Sequence, residues 1–141
     1  MRLTLSSKYA ILALAELARR EGLASVTAIS AATGIPAAYL AKLLPLLTRH
    51  GLVRTARGRQ GGVALAKPPA EISLREIIAA VESPAALQDC PFETEPCPGD
   101  PACPLYPVWD PLRERILSFL AETNLADVAR HPQKGEGGAK S

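Results

Sequence analysis

Leu40, Leu43, Leu44 and Leu47 recur at i, i+3, i+4 and i+7, the spacing of one helical face, while Tyr39, Lys42 and Arg49 fall on the other faces. Just upstream, Ala28, Ile29, Ala31 and Ala32 describe a smaller apolar helix that a neighbour can cross closely. Gly34 suits its C-terminal end, and Pro36 suits the first turn of the leucine helix, where a missing N–H is no loss. Downstream the period shortens. Residues 52–55 and 63–65 bracket Arg57-Gly58-Arg59-Gln60-Gly61-Gly62, which predicts a β-hairpin with a flexible, cationic tip. Helix, sharp turn, helix and hairpin over residues 27–65 read as a helix-turn-helix followed by a wing.

The same patterning extends to the rest of the chain. Residues 6–20 form a first helix, capped by Ser6 or Ser7 and apolar on most sides through Ile11, Leu12, Leu14, Ala15, Leu17 and Ala18. After Lys67-Pro68-Pro69, the pair Ser73 and Glu76 has capping-box spacing and opens a helix that turns Leu74, Ile77, Ile78 and Val81 inward and stops by Pro84. Residues 90–111 hold seven prolines, so a stiff, extended loop without regular secondary structure is expected there. A last helix begins at Trp109 or Asp110, with Leu112, Ile116, Leu117, Phe119 and Leu120 as its apolar stripe. It reads as a dimerisation helix packing on its symmetry mate; the alternative is one more core helix. The fold class is therefore mainly α with a small β-hairpin wing: a winged helix-turn-helix plus a C-terminal dimerisation helix. The expected division is 1–83 for the winged unit, 84–130 for the cysteine loop and dimerisation helix, and 131–141 for a disordered tail.

Charge sharpens this picture. The 141 residues carry a net charge of only +2, but residues 1–67 hold ten Lys/Arg against two Glu, whereas residues 68–141 hold six Lys/Arg against twelve Asp/Glu. The basic half coincides with the helix-turn-helix and wing, and its field attracts a polyanion such as the DNA duplex. An exposed helix can enter the major groove while wing guanidinium groups reach phosphates or a narrow minor groove. The apolar run from residue 9 to 14 is interrupted by Glu16 and followed by Arg19-Arg20-Glu21, unlike a signal peptide, and no run approaches the roughly 20 apolar residues of a membrane span. A cytoplasmic protein with no membrane partner is expected, and in that compartment cysteines serve more often as metal ligands or redox thiols than as a disulfide framework.

Cys90, Cys97 and Cys103 are the whole cysteine inventory, spaced C-x6-C-x5-C, and each precedes a proline. A residue before proline is pushed to extended geometry, so the loop can hold three thiols toward one point with less entropy left to lose. Three soft ligands suggest a metal centre. Structural zinc prefers four ligands, often in paired C-x2-C knuckles, whereas iron–sulfur clusters accept cysteine plus a weaker ligand. Free thiols acting as an oxidation switch are the other reading. Glu82, Asp89, Glu93, Glu95 and Asp100 surround the cysteines, with no Lys or Arg between Arg75 and Arg113; that acidity disfavours free thiolates and favours a cluster.

Met1-Arg2-Leu3-Thr4, Lys8-Tyr9-Ala10, Tyr39-Leu40, Gly51-Leu52-Val53, Arg57-Gly58 with Gly61-Gly62, Ile77-Ile78 with Val81-Glu82, and three cysteines ahead of Trp109 together resemble the IscR/NsrR-type winged-helix transcription regulators over nearly the whole chain. The resemblance implies a homodimer joined through the C-terminal helix and a double-stranded DNA operator as partner. It also implies an iron–sulfur cluster, [2Fe–2S] or [4Fe–4S], on Cys90, Cys97 and Cys103 that controls DNA binding. The residues placed at the DNA are Arg2, Pro36, Ala38, Tyr39, Lys42, Arg49, Arg57 and Arg59. There are departures. Tyr106 stands where IscR-like relatives carry a histidine, Lys8 stands where NsrR-like relatives can use an acidic residue, and the first cysteine gap is one residue longer than usual. Glu93, Glu95, Asp100, Tyr106 and, from a partner subunit, Glu16 are the candidates for the remaining ligand.

A thiol- or zinc-dependent interaction protein with a winged-helix fold, no cluster and no operator is the alternative. An enzyme is not expected: His50 and His131 stand in no nucleophile or metal-hydrolase spacing, and no Gly-rich phosphate loop follows a strand. His50, ending the leucine helix, reads as a capping or phosphate-contact residue.

Overall fold

In the computed structural model, which describes residues 1, 3–88 and 103–131, the first apolar run becomes α1 (Leu5–Ala18). Ala10, Ala13 and Leu14 are completely buried, and α1 touches elements on several sides, so this helix is the centre of the core. Its N-cap is Thr4, whose hydroxyl accepts from the Ser6 amide, and not Ser6 or Ser7. Ser7 is buried instead and donates to a carboxylate oxygen of Glu82 at 2.5 Å.

Ser25 caps α2 (Val26–Thr33) through the Ala28 amide, and Gly34, left-handed at φ 79°, closes it. Only Ile29 and Thr33 of α2 are buried; Ala31 and Ala32 are exposed, because so short a helix can turn one narrow stripe inward. A bend of 114° leads into α3 (Ala37–Arg49). That angle is typical of a helix-turn-helix. The turn is clamped: Ser30 donates to the Ile35 carbonyl at 2.6 Å, Thr33 to the Ile29 carbonyl at 2.6 Å, and Ile35 is wholly buried between the helices. Pro36 is the N-cap of α3 rather than a residue of its first turn.

Strand β1 (Val53–Ala56) pairs antiparallel with β2 (Gly62–Leu65), Val53 opposite Leu65 and Ala56 opposite Gly62. The hairpin is also bolted to the loop before α2: Ala24 and Val63 exchange two backbone hydrogen bonds of 2.8 Å. This explains the glycine pair. A Cβ on Gly61 would stand 2.2 Å from the Ala56 carbonyl oxygen, and one on Gly62, at φ 150°, would stand 2.4 Å from that of Ala24.

After a 3-10 turn (Pro69–Glu71), α4 (Leu74–Val81) has the expected capping box between Ser73 and Glu76. The following helix, α5 (Tyr106–Glu122), starts three or four residues earlier than expected and includes Pro107 and Pro111. Pro107 is in the first turn, where no N–H is required, and Pro111 is tolerated on an exposed side, so proline density did not exclude helix over the whole of residues 90–111. The expected single stripe divides. Trp109, Leu117 and Leu120 are buried, whereas Leu105, Val108, Leu112 and Phe119 are 42, 72, 48 and 57 % exposed.

Nor is α5 the last helix. Asn124 and Asp127 form a second capping box that opens α6 (Leu125–Ala129), which packs on α1. Leu125 is wholly buried and its amide donates to the Ile72 carbonyl, while the Leu74 amide donates to Thr123. Arg19 donates to the carbonyls of Ala129 and His131. The core is thus continuous from α1 through α5 and α6, across residue 83. The expected tail beyond His131 lies outside the described residues.

Candidate nucleic-acid interface and cysteine loop

The leucine stripe of α3 is buried as its spacing requires: Leu40 and Leu47 have no exposed surface, Leu43 and Leu44 almost none. The opposite face presents Pro36, Ala37, Ala38, Ala41, Lys42, Pro45 and Arg49 to solvent. Between α3 and the hairpin runs an open groove of about 660 Å³ whose walls include Val26, Ala41, Pro45, Arg49, Ala56 and Val63. Arg57 and Arg59 are exposed at the hairpin tip. Among the described residues, Lys42, Arg49, Arg57 and Arg59 have no carboxylate partner, so their charge is free to meet an external anion. Arg19, Arg20, Lys67 and Arg113 are by contrast each paired with a glutamate or aspartate. Arg54 on the hairpin is unpaired too, as are Lys8, Arg75 and Arg115 away from it, so five of the eight unpaired Lys and Arg side chains among the described residues lie on the exposed α3 face and the wing.

Tyr39 differs from the other expected contact residues. It is half-buried, its hydroxyl lies 2.9 Å from the Ser6 hydroxyl, and its ring meets Tyr9 edge-on at 4.9 Å. Lys42 stands over the same ring at 5.9 Å. Tyr39 thus ties α3 to the start of α1 and steadies Lys42 by a cation–π contact. His50 is the C-cap of α3, with Nδ1 3.1 Å from the Leu46 carbonyl oxygen, in keeping with the capping role. Arg2 lies outside the described residues.

Of the three cysteines, Cys90 and Cys97 lie outside the described residues. Cys103 is a free, partly exposed thiol three residues before α5, and its carbonyl accepts from the Tyr106 amide. Both flanks of the segment 89–102 are held on α5. Cys103 leads directly into it, and Gln88 accepts a hydrogen bond from Arg113. Arg113 also pairs with Asp110 at 2.7 Å and Glu114 at 3.2 Å, and the Asp110 hydrogen bond raises its pKa further above the usual guanidinium value. Among the described residues no three His, Cys, Asp or Glu side chains converge. Glu82 is not free to act on the thiols: one oxygen accepts from the Thr4 amide at 2.7 Å, the Thr4 hydroxyl at 2.9 Å and the Ser7 hydroxyl, at the N-terminus of α1 where negative charge is favoured. Glu16 is likewise engaged, by Arg19 and Arg20. The Glu16 pairs stand at i,i+3 and i,i+4, a spacing the sequence offers, whereas nothing in it signals the Glu82 contacts.

A helix-turn-helix with a buried leucine stripe, an outward face and a cationic wing defines a DNA-binding winged-helix transcription regulator. The profile of the Rrf2 family, described as iron-dependent transcriptional regulators, matches residues 3–131, and the chain belongs to that family. Rv1287 of Mycobacterium tuberculosis, which carries the description HTH-type transcriptional regulator, is 37% identical over 132 residues, covering 92% of this chain and 81% of that protein. The HTH-type transcriptional regulator IscR of Serratia proteamaculans is 35% identical over 133 residues, covering 93% and 80%. Among solved structures, IscR of T. potens superposes with a TM-score of 0.73 at 26% identity, covering 96% of this chain and 91% of that one. CymR of Staphylococcus aureus gives 0.73 at 28%, covering 93% and 100%. These relatives are regulators, and the chain is a regulator rather than an enzyme.

Proposed function

We propose that the protein is a homodimeric, cytoplasmic regulator whose operator binding is controlled by an iron–sulfur cluster, [2Fe–2S] or [4Fe–4S], held by Cys90, Cys97 and Cys103. The observation that carries the control is the anchoring of the cysteine segment: Cys103 is a free, accessible thiol and both flanks of the segment are fixed on α5. Soft thiol donors fit such a group. When bound, it supplies a centre whose ligation responds to iron supply, oxygen or nitric oxide. The chain's own part is mechanical. Glu82, at the end of α4, grips Thr4 and Ser7, and Ser6 grips Tyr39 of α3, so a pull where the segment begins reaches the helix that meets DNA within a few hydrogen bonds. Arg57 and Arg59 on the wing, with Lys42 and Arg49 on α3, hold the duplex, and Arg2 adds a cation at the N-terminus. Dimerisation through α5 is supported by its outward apolar face. Two symmetry-related α3 helices then meet an inverted repeat with half-sites about one or two helical turns apart.

The test is anaerobic purification with measurement of iron, sulfide and the visible spectrum, repeated after changing each cysteine to Ala, and DNA affinity with and without the cluster. Colour that depends on all three cysteines, together with a change in affinity on cluster loss, is expected. A colourless protein after anaerobic reconstitution, or equal affinities, would remove the control and leave DNA binding standing.

A further inference from the structure

The outward face of α3 is short of groups that can hydrogen-bond to bases. Ala38, Ala41 and Pro45 are exposed along it, at i, i+3 and i+7. The polar side chains that could have complemented them are committed elsewhere: the Tyr39 hydroxyl is tied to Ser6, and the Thr48 hydroxyl donates to the Leu44 carbonyl at 2.9 Å. Lys42 and Arg49 remain, two long cations that can reach phosphate or a guanine edge but offer nothing to the exposed apolar positions between them. Ala41 and Pro45 also wall the groove toward the wing, together with the apolar Val26 and Val63.

An apolar reading face has one complement in the major groove. Among the four standard bases, thymine alone presents a methyl group there, at C5. A methyl or a pyrrolidine ring placed against it removes apolar surface from water. Placed against cytosine or adenine, it leaves the exocyclic N–H donor unpaired, which is costly. The spacing is compatible with this. Positions 38, 41 and 45 are separated along the helix by about 4.5 and 6 Å at 1.5 Å per residue, and successive bases on a strand by about 3.4 Å.

We propose that Ala38, Ala41 and Pro45 are specificity-determining residues that read thymine methyl groups in each operator half-site, one or two base steps apart. The proposal rests on the reading that α3 enters the major groove, and it adds the base class recognised there.

Duplexes are selected from a random pool by the purified protein, and the enriched sequence is then remade with deoxyuridine in place of thymidine, first within the half-sites and then only outside them. Each lost contact should weaken binding about fourfold, the value of one buried carbon group, and about sixteenfold when both half-sites lose it. Substitution outside the half-sites should change nothing. Ala38→Gly and Ala41→Gly should bring the ratio of thymine to uracil affinity toward one, whatever they do to helix stability, because that ratio is taken within one protein. An enriched duplex bound equally well with uracil overturns thymine reading and leaves DNA recognition intact. If no sequence is enriched, base recognition by α3 is itself wrong, and this proposal falls with it.

Discussion

Gly62 shows how a residue that reads as turn punctuation acquires a second duty. At φ 150° and with the Ala24 carbonyl oxygen 2.4 Å from where a Cβ would stand, it lets the hairpin lie against the loop before α2. Gly62→Ala should therefore destabilise the protein by about 1–3 kcal/mol, read as a lowered urea midpoint. Glu76 offers a pH-dependent case. The Lys67 hydrogen bond, ahead of the opposing effect of burial and with help from Ser73, holds its carboxyl below the ordinary 4.5. The charged form is therefore favoured in the folded protein; the resulting stability is present above that value and is lost as the pH falls through the lowered pKa. The pair is well exposed, at 37 and 44 %, so solvent screening keeps its contribution under about 1 kcal/mol. Glu76→Gln should lower the melting temperature near neutrality and make its decline below pH 4.5 shallower.

At the scale of elements, α3 and the hairpin should fail in distinguishable ways. Lys42 is suited to phosphate, so Lys42→Ala should weaken all duplexes alike and reduce the salt slope of binding by about one unit. Arg57 is at the wing tip, and where its guanidinium enters the minor groove, Arg57→Ala should cost more on A·T-rich flanks than on G·C-rich ones. Titrations at several salt concentrations with two flanking sequences separate these effects; variants that both behave like the parent would remove this surface from DNA binding. The leucine stripe of α3, the capping box of α4 and the cationic hairpin were legible because local spacing and capping chemistry act over a few residues. The start of α5 and all of α6 were not read. Proline frequency was weighted over position in the first turn, and the Asn124–Asp127 box opens a helix too short for periodicity to register.

For the whole molecule, the outward face of α5 is the surface on which the proposed dimer rests. Val108 and Phe119 are 72 and 57 % exposed on a helix whose other face is already in the core. If that face meets a symmetry mate, Val108→Glu with Phe119→Glu should shift the protein from dimer to monomer in sedimentation and weaken operator binding by more than tenfold, because two tethered half-site contacts become one. The buried face is untouched, so the fold should survive, which circular dichroism would check. A dimer that persists in the double variant would place the interface elsewhere.

What residue order determined by itself was whatever short-range periodicity and charge could carry: the helix-turn-helix and wing, the basic half beside the acidic half, and a three-cysteine segment unlike core. These follow from helical and strand geometry, which act between near neighbours. Only the tertiary structure decided which partners meet across long separations. Glu82 holds the start of α1, Tyr39 is spent on Ser6 and Tyr9, and α6 closes on α1 and Ile72. Such pairings depend on where the packed core brings distant side chains, and no spacing along the chain encodes that distance.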